Sequence, residues 1–171
     1  MTGVQTCALP IYVLAPPGAL LPAVLVDATV ELLEDAPRLL KTRDRVRFHV
    51  GTQEVMARVL LVDRSQLEPG QVSFGRFRLE GPIGALPGDR FVIRSYSPMV
   101  TIGGGTLLDV VPPRFKRKAP ALLAHLELLD TGTPGQVLEE HLKQAGAAGA
   151  RAADLRARTP FGPERLRALL D

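Results

Sequence analysis

The sequence predicts a mainly β protein with a helical tail. Three observations carry this. Fifteen prolines and sixteen glycines in 171 residues mark many turns, which favours short strands over long helices. Between residues 23 and 111 the apolar residues recur with period two. After Pro120 the period changes to that of a helix. Six or seven closely spaced strands read as a closed barrel or a sandwich.

Tyr12 to Gly18 is a short apolar strand ending in Pro-Pro-Gly, and residues 12–22 read as the end of a preceding β domain. The strands of residues 23–111 follow. Ala28 to Leu33 is the first. In Arg45 to Val50, Val46, Phe48 and Val50 share one face and Arg45, Arg47 and His49 the other. Gly51-Thr52 turns the chain into Glu54 to Val62. Leu67-Glu-Pro-Gly70 is a turn before the alternating run Gln71 to Glu80. A second Pro-Gly turn, Leu86 to Asp89, precedes the strand Arg90 to Ser95, and Thr106 to Val111 is the last strand.

Residues 112–120 form a linker opened by Pro112-Pro113 and closed by Pro120. Leu122, Leu123, His125, Leu126 and Leu129 suit one helix. Thr133-Pro-Gly-Gln136 is a capping signal for the next, with Val137, Leu138, Leu142 and Ala145 as its apolar stripe. Gly146 to Gly149 breaks that helix. Arg151 to Arg158 is a short helix, Thr159 to Gly162 a turn, and Pro163 opens a last helix with Leu166, Leu169 and Leu170 inward. Helix, tight turn and helix make a helix-turn-helix pattern. A winged helix needs a strand pair after it, so residues 121–171 read as an incomplete winged-helix domain truncated at its C-terminus.

Residues 1–11, MTGVQTCALPI, lack the basic start and apolar core of a signal peptide. They match, codon by codon, the translation of a common sequencing adapter. The expectation is that they are an artefact, that Cys7 has no biological meaning, and that the chain is truncated at its N-terminus.

Net charge is +3. Residues 1–111 balance, with eleven basic and eleven acidic side chains, and residues 112–171 carry ten basic against seven acidic. Four of those ten are Arg114, Lys116, Arg117 and Lys118, either a solvated linker or a nucleic-acid contact. No apolar run reaches the length of a membrane span. There is no G-x-x-x-x-G-K-[ST] loop. Gly103-Gly-Gly105 reads as a bulge or close strand packing before it reads as a phosphate cradle. His49, His125 and His141 have no metal-ligand spacing, so no metal site is expected. His49 lies on a polar strand face, where it suits a surface or an RNA contact, and the other two edge a helical core. No nucleophile stands in a G-x-S-x-G setting. The chain is not expected to be an enzyme by itself.

The runs Val46 to Thr52, Leu86 to Arg94 and Ser95 to Gly105 resemble the third domain of the selenocysteine-specific elongation factor, SelB. Thr101-Ile-Gly-Gly-Gly105 separates it from elongation factor Tu, which has a shorter Thr-Val-Gly-x-Gly run. Val13 to Gly18 is similar to the end of the family's second domain, and the tail after Pro120 to the start of its first winged helix. The resemblance implies an elongation-factor-Tu-like domain-3 β-barrel. It implies a parent that delivers selenocysteyl-tRNA to the ribosome at a recoded UGA, with GTP and Mg2+ held in a domain other than this one. Terminal winged helices would bind the selenocysteine-insertion-sequence hairpin of the messenger. A cytoplasmic monomer without membrane contact is implied as well. The residues matching the tRNA-contacting barrel are Arg94, Ser95 and Tyr96, with His49 and Thr52 bordering a second surface. Two alternatives stand beside this: the barrel of another translational GTPase, and a spacer between GTPase and RNA-binding domains. Arg94 could instead pair with Asp89 or Asp109, and Tyr96 could pack on Pro98. The helical tail is expected to melt before the barrel.

Overall fold

A computed structural model describes residue 15, residues 19–113 and residues 120–170. The adapter-like start and the basic cluster Arg114, Lys116, Arg117 and Lys118 lie outside the described residues, as does nearly all of the strand expected at 12–18.

Eight strands follow in order: β1 (Pro22–Leu32), β2 (Leu40–Lys41), β3 (Arg45–Val50), β4 (Gln53–Leu61), β5 (Gln66–Leu67), β6 (Val72–Gly84), β7 (Arg90–Ser95) and β8 (Thr101–Asp109). Six of them close an antiparallel barrel in the order β1-β6-β4-β3-β7-β8, and β2 and β5 form a small separate ribbon. Closure leaves no free strand edge in this part of the fold.

The interior is built by the alternation read from the sequence. Val46, Phe48 and Val50 point inward with Val26, Val30, Val59 and Ile93. Three phenylalanines form its centre. Phe48 stacks on Phe91 with ring centroids 4.5 Å apart, and Phe77 meets both at 5.1 and 5.3 Å. Such tilted and offset contacts add to the area each ring buries.

Strand boundaries depart from expectation in three places. β1 begins at Pro22, six residues earlier than Ala28, because Asp27 is fully buried on the outer face and does not interrupt the strand. β6 runs on through Gly81-Pro82 to Gly84. Its register against β1 slips between Ala23 and Leu25, so the Gly-Pro pair occupies a bulge where no ladder donor is required. β8 starts at Thr101 and contains Gly103, Gly104 and Gly105. A Cβ on these would lie 2.3 Å from the Glu31 carbonyl, 2.5 Å from that of Phe91 and 1.9 Å from that of Thr29. The glycines are therefore the close strand packing, and no phosphate cradle forms there. The first Pro-Gly turn closes one residue later than read, by Gln71 N–H donating to the Glu68 carbonyl (3.1 Å).

The tail holds α1 (Pro120–Thr131), α2 (Pro134–Ala145), a 3-10 turn at Gly146–Ala148, α3 (Ala152–Arg158) and α4 (Pro163–Leu170). Pro120 is thus the first residue of α1 rather than the last of a linker. The Thr133 hydroxyl accepts from Gln136 N–H, and the Gln136 side chain accepts from Thr133 N–H (2.8 Å). Leu122 and Leu126 of α1 pack on Val62 and Leu108 of the barrel. Leu138, Leu155 and Leu166 join α2, α3 and α4 with Phe161 and Leu169. Leu142 and Leu170, read as inward, are 38% and 47% exposed. The buried face of α2 centres on Val137, Leu138 and His141, and Leu142 lies about a quarter turn from that centre. The α4 contact ends at Leu169.

Candidate nucleic-acid interface

The outward residues of β3, β4, β6 and β7 form one face of the barrel. Strand pairing fixes their neighbours. Arg45 stands opposite Arg58, and Arg58 stands opposite Arg78, so three arginines cross β3, β4 and β6 in one row. Two residues along β3, Arg47 pairs with Arg94 of β7 on one side and Met56 of β4 on the other. Adjacent strands lie about 4.8 Å apart, which places these cations within one short stripe.

Two carboxylates share the face. Glu80 takes Arg45 in a fork, with contacts of 2.9 and 2.6 Å. Glu54 pairs with Arg47 and stands 3.9 Å from His49 Nε2. The hydrogen bonds from Arg47 and Arg45 hold the Glu54 and Glu80 carboxyls below their ordinary range. Both glutamates therefore stay ionised at neutral pH. Arg58, Arg78 and Arg94 form no ion pair among the described residues. Arg58 and Arg78 are exposed and border an open pocket with Leu79 and Glu80.

Tyr96 follows the end of β7 and is 52% exposed. Its ring lies 5.3 Å from the Arg45 guanidinium and 5.9 Å from that of Arg47, inside cation–π range. The ring is held at the arginine stripe with its edge open. Arg94 is half-buried and donates from Nη2 to the Met99 carbonyl (3.1 Å). Neither Asp89 nor Asp109 pairs with it: the Asp89 carboxylate accepts from Leu86 N–H and the Asp109 carboxylate takes Arg158. The buried Nε of Arg94 has no hydrogen-bond partner.

Ser95 is placed differently from its neighbours. It is buried, donates to the Pro98 carbonyl and accepts from Val100 N–H (3.3 Å). Its hydroxyl braces the loop that carries Tyr96 and does not face solvent. His49 is half-buried near the end of β3, and its Nε2 has no hydrogen-bond partner. Thr52 is exposed in the turn after β3, roughly 20 Å along the strand from Tyr96. With Gly51, Gln53, Asp89 and Arg90 it lines a separate shallow hollow. The structure thus brings Arg94 and Tyr96 together with Arg45 and Arg47, leaves His49 between, and sets Thr52 apart.

Arg58 and Arg78 were missed by sequence reading. Each stands at an outward position of an alternating strand, which is a visible signal. Their alignment with Arg45 depends on strand register, which is not. Among the described residues no group of three or more His, Cys, Asp or Glu is placed to hold a metal ion. No helix there is long and apolar enough to cross a membrane.

Comparison with known proteins points to one family. A family model described as the selenocysteine-specific elongation factor, beta-barrel domain, matches residues 26–114. The selenocysteine-specific elongation factor of Desulfomicrobium baculatum is 33% identical over 147 residues, which cover 86% of this chain and 23% of that protein. The chain spans less than a quarter of the relative's length. The matched segment begins inside β1 and ends just past β8, so it takes in nearly the whole barrel and with it the arginine face. The chain belongs to the selenocysteine-specific elongation factor (SelB) family and carries its β-barrel domain.

Proposed function

We propose that the barrel is the tRNA-contacting and domain-docking part of a factor that delivers selenocysteyl-tRNA to the ribosome at a recoded UGA. The observation that supports this is the stripe of Arg45, Arg58, Arg78, Arg47 and Arg94 beside the exposed ring of Tyr96. An RNA duplex is recognised through its phosphates and its shape, so a fixed row of guanidiniums suits it better than a deep pocket would. Arg58 and Arg78 present unpaired forks to phosphate oxygens. Arg45 and Arg47 flank Tyr96, whose half-exposed ring is offered to a sugar or base. Arg94 and Ser95 act one step back, by holding the loop that carries Tyr96. Thr52 and His49 lie toward the far end of the face, and the basic cluster of residues 114–118 is a further candidate contact.

In this reading the segment binds and docks and has no catalytic step of its own. GTP and Mg2+ would be held by another domain of the parent. The messenger hairpin would be taken by winged helices beyond this segment. The parent acts in the cytoplasm, as a monomer.

The test is fluorescence anisotropy of the 171-residue chain with a labelled acceptor–T-stem RNA helix. Arg58→Glu/Arg78→Glu weakens binding at least tenfold and leaves the thermal midpoint within a few degrees. Unchanged affinity in that variant would assign the barrel to spacing rather than to RNA contact.

A further inference from the structure

The β8-β1-β6 side of the barrel, adjoining the arginine stripe at β6, carries a second set of charges, and these are buried. In strand register Arg76 of β6 lies beside Asp27 of β1, and Asp27 lies beside Asp109 of β8. Both carboxylates have no exposed surface. Arg76 holds Asp27 in a fork at 2.6 and 2.8 Å. Burial pushes the Asp27 carboxyl above its ordinary range against the pull of Arg76, and the neighbouring Asp109 pushes it further.

The barrel therefore supplies one cation for two adjacent carboxylates. The second cation comes from the helices. Arg158, in the last turn of α3, donates from Nη2 to Asp109 Oδ2 (2.6 Å) and to the side-chain Oε1 of Gln144 in α2 (3.4 Å). The other Asp109 oxygen accepts from Val111 N–H (2.8 Å), where the chain leaves the barrel. Around this pair, Gln144 donates to Glu140 Oε1 (3.0 Å), and the same Glu140 oxygen meets His125 Nδ1 at 2.9 Å. One polar cluster thus joins β8, α1, α2 and the end of α3.

We infer that Arg158 on Asp109 is an ionic latch that fixes the helical segment against the barrel in one orientation. The apolar contact between the two parts is modest: Leu122 and Leu126, with Leu123 and Leu129 beside them, on Val62, Phe74 and Leu108, and Pro160 near Gly88. A small greasy patch permits sliding and rotation. A guanidinium aimed through one nitrogen at a fully buried carboxylate does not, because any other docking leaves Asp109 buried without its helical cation. The latch sets the direction in which α3 and α4 leave the barrel relative to the arginine stripe. It makes barrel and helices one body.

Hydrogen exchange of the 171-residue chain, read by mass spectrometry, tests this. In the unmodified chain the slowest amides of α1, α2 and α3 exchange together with those of β8. Arg158→Met speeds exchange of α1 to α3 at least tenfold and leaves β3 and β4 unchanged. Asp109→Asn/Arg158→Met, which removes both charges, recovers part of the lost protection. The inference is overturned if the helices of the unmodified chain already exchange far faster than β8. It is overturned equally if Arg158→Met leaves them unchanged, or if β3 and β4 lose protection as much as the helices do.

Discussion

Gly105 shows how a single missing methyl decides a strand pairing. A Cβ there would lie 1.9 Å from the Thr29 carbonyl of β1. That oxygen belongs to backbone and cannot swing away as a side chain would. Gly105→Ala must therefore part β1 from β8, and its cost is at least the roughly 1–3 kcal/mol of an overpacked core. Gly135, in the first turn of α2, has nothing within 4 Å of its virtual Cβ. Gly135→Ala raises stability by about 0.5 kcal/mol through helix propensity and a less flexible unfolded chain. Urea midpoints of the two variants should move in opposite directions. Ser95 teaches the converse at the same scale. Its neighbours in sequence, Arg94 and Tyr96, reach the face, while period two turns Ser95 inward to brace the loop.

Among the elements, α2 carries the least ordinary buried group. His141 is 1% exposed, and neither ring nitrogen has a hydrogen-bond partner. Burial, and then the nearby Arg158 cation, lower its pKa from 6.5 to about 4. Asp109 of β8 and Glu140 of its own helix pull it up, and His125 of α1 adds to the lowering. The sign follows from linkage. Between pH 6.5 and about 4 the unfolded chain binds a proton that the fold refuses. The stability of the neutral ring is complete above pH 6.5 and falls as pH drops toward 4, by about 3 kcal/mol in all. His141→Leu removes that slope. Urea denaturation at pH 7.5 and pH 5 in both chains checks it, and equal pH dependence would show that His141 is not the titrating group. The sequence placed His141 at the edge of a helical core, and its period was right. That it lies wholly buried and unpaired is set by Arg158 and the barrel wall, which belong to other elements.

Across the whole molecule, what could be read from sequence was what repeats locally. Strands β3 and β7 were legible to the residue, because Val46, Phe48 and Val50 alternate with polar neighbours and the short run Phe91 to Ile93 is bounded by Arg90 and Arg94. The helix-turn-helix spacing was legible through Pro163 and the Thr133 capping box. The ends of β6 and the start of β8 were not. Gly81-Pro82 spells a turn in isolation and becomes a bulge only when β1 lies beside it; the close packing of Gly103 to Gly105 was readable, but not that these residues belong inside β8. The site divides in the same way. Arg94 and Tyr96 were named by their motif, whereas Arg58 and Arg78 join Arg45 only through register. Asp27 and Asp109, remote in sequence, became neighbours by barrel closure, and Arg158 by helix docking.

The arginine stripe acts through its charge. Its most direct measurement is the affinity of the 171-residue chain for the acceptor–T-stem helix across a series of salt concentrations. Neutralised phosphates release counterions, so the logarithm of the affinity should fall linearly with the logarithm of salt. Removing Arg58 and Arg78 should flatten that slope by about 1 for each arginine. A slope shared by the unmodified chain and the double variant would contradict the account, because phosphate would then not be what this face binds.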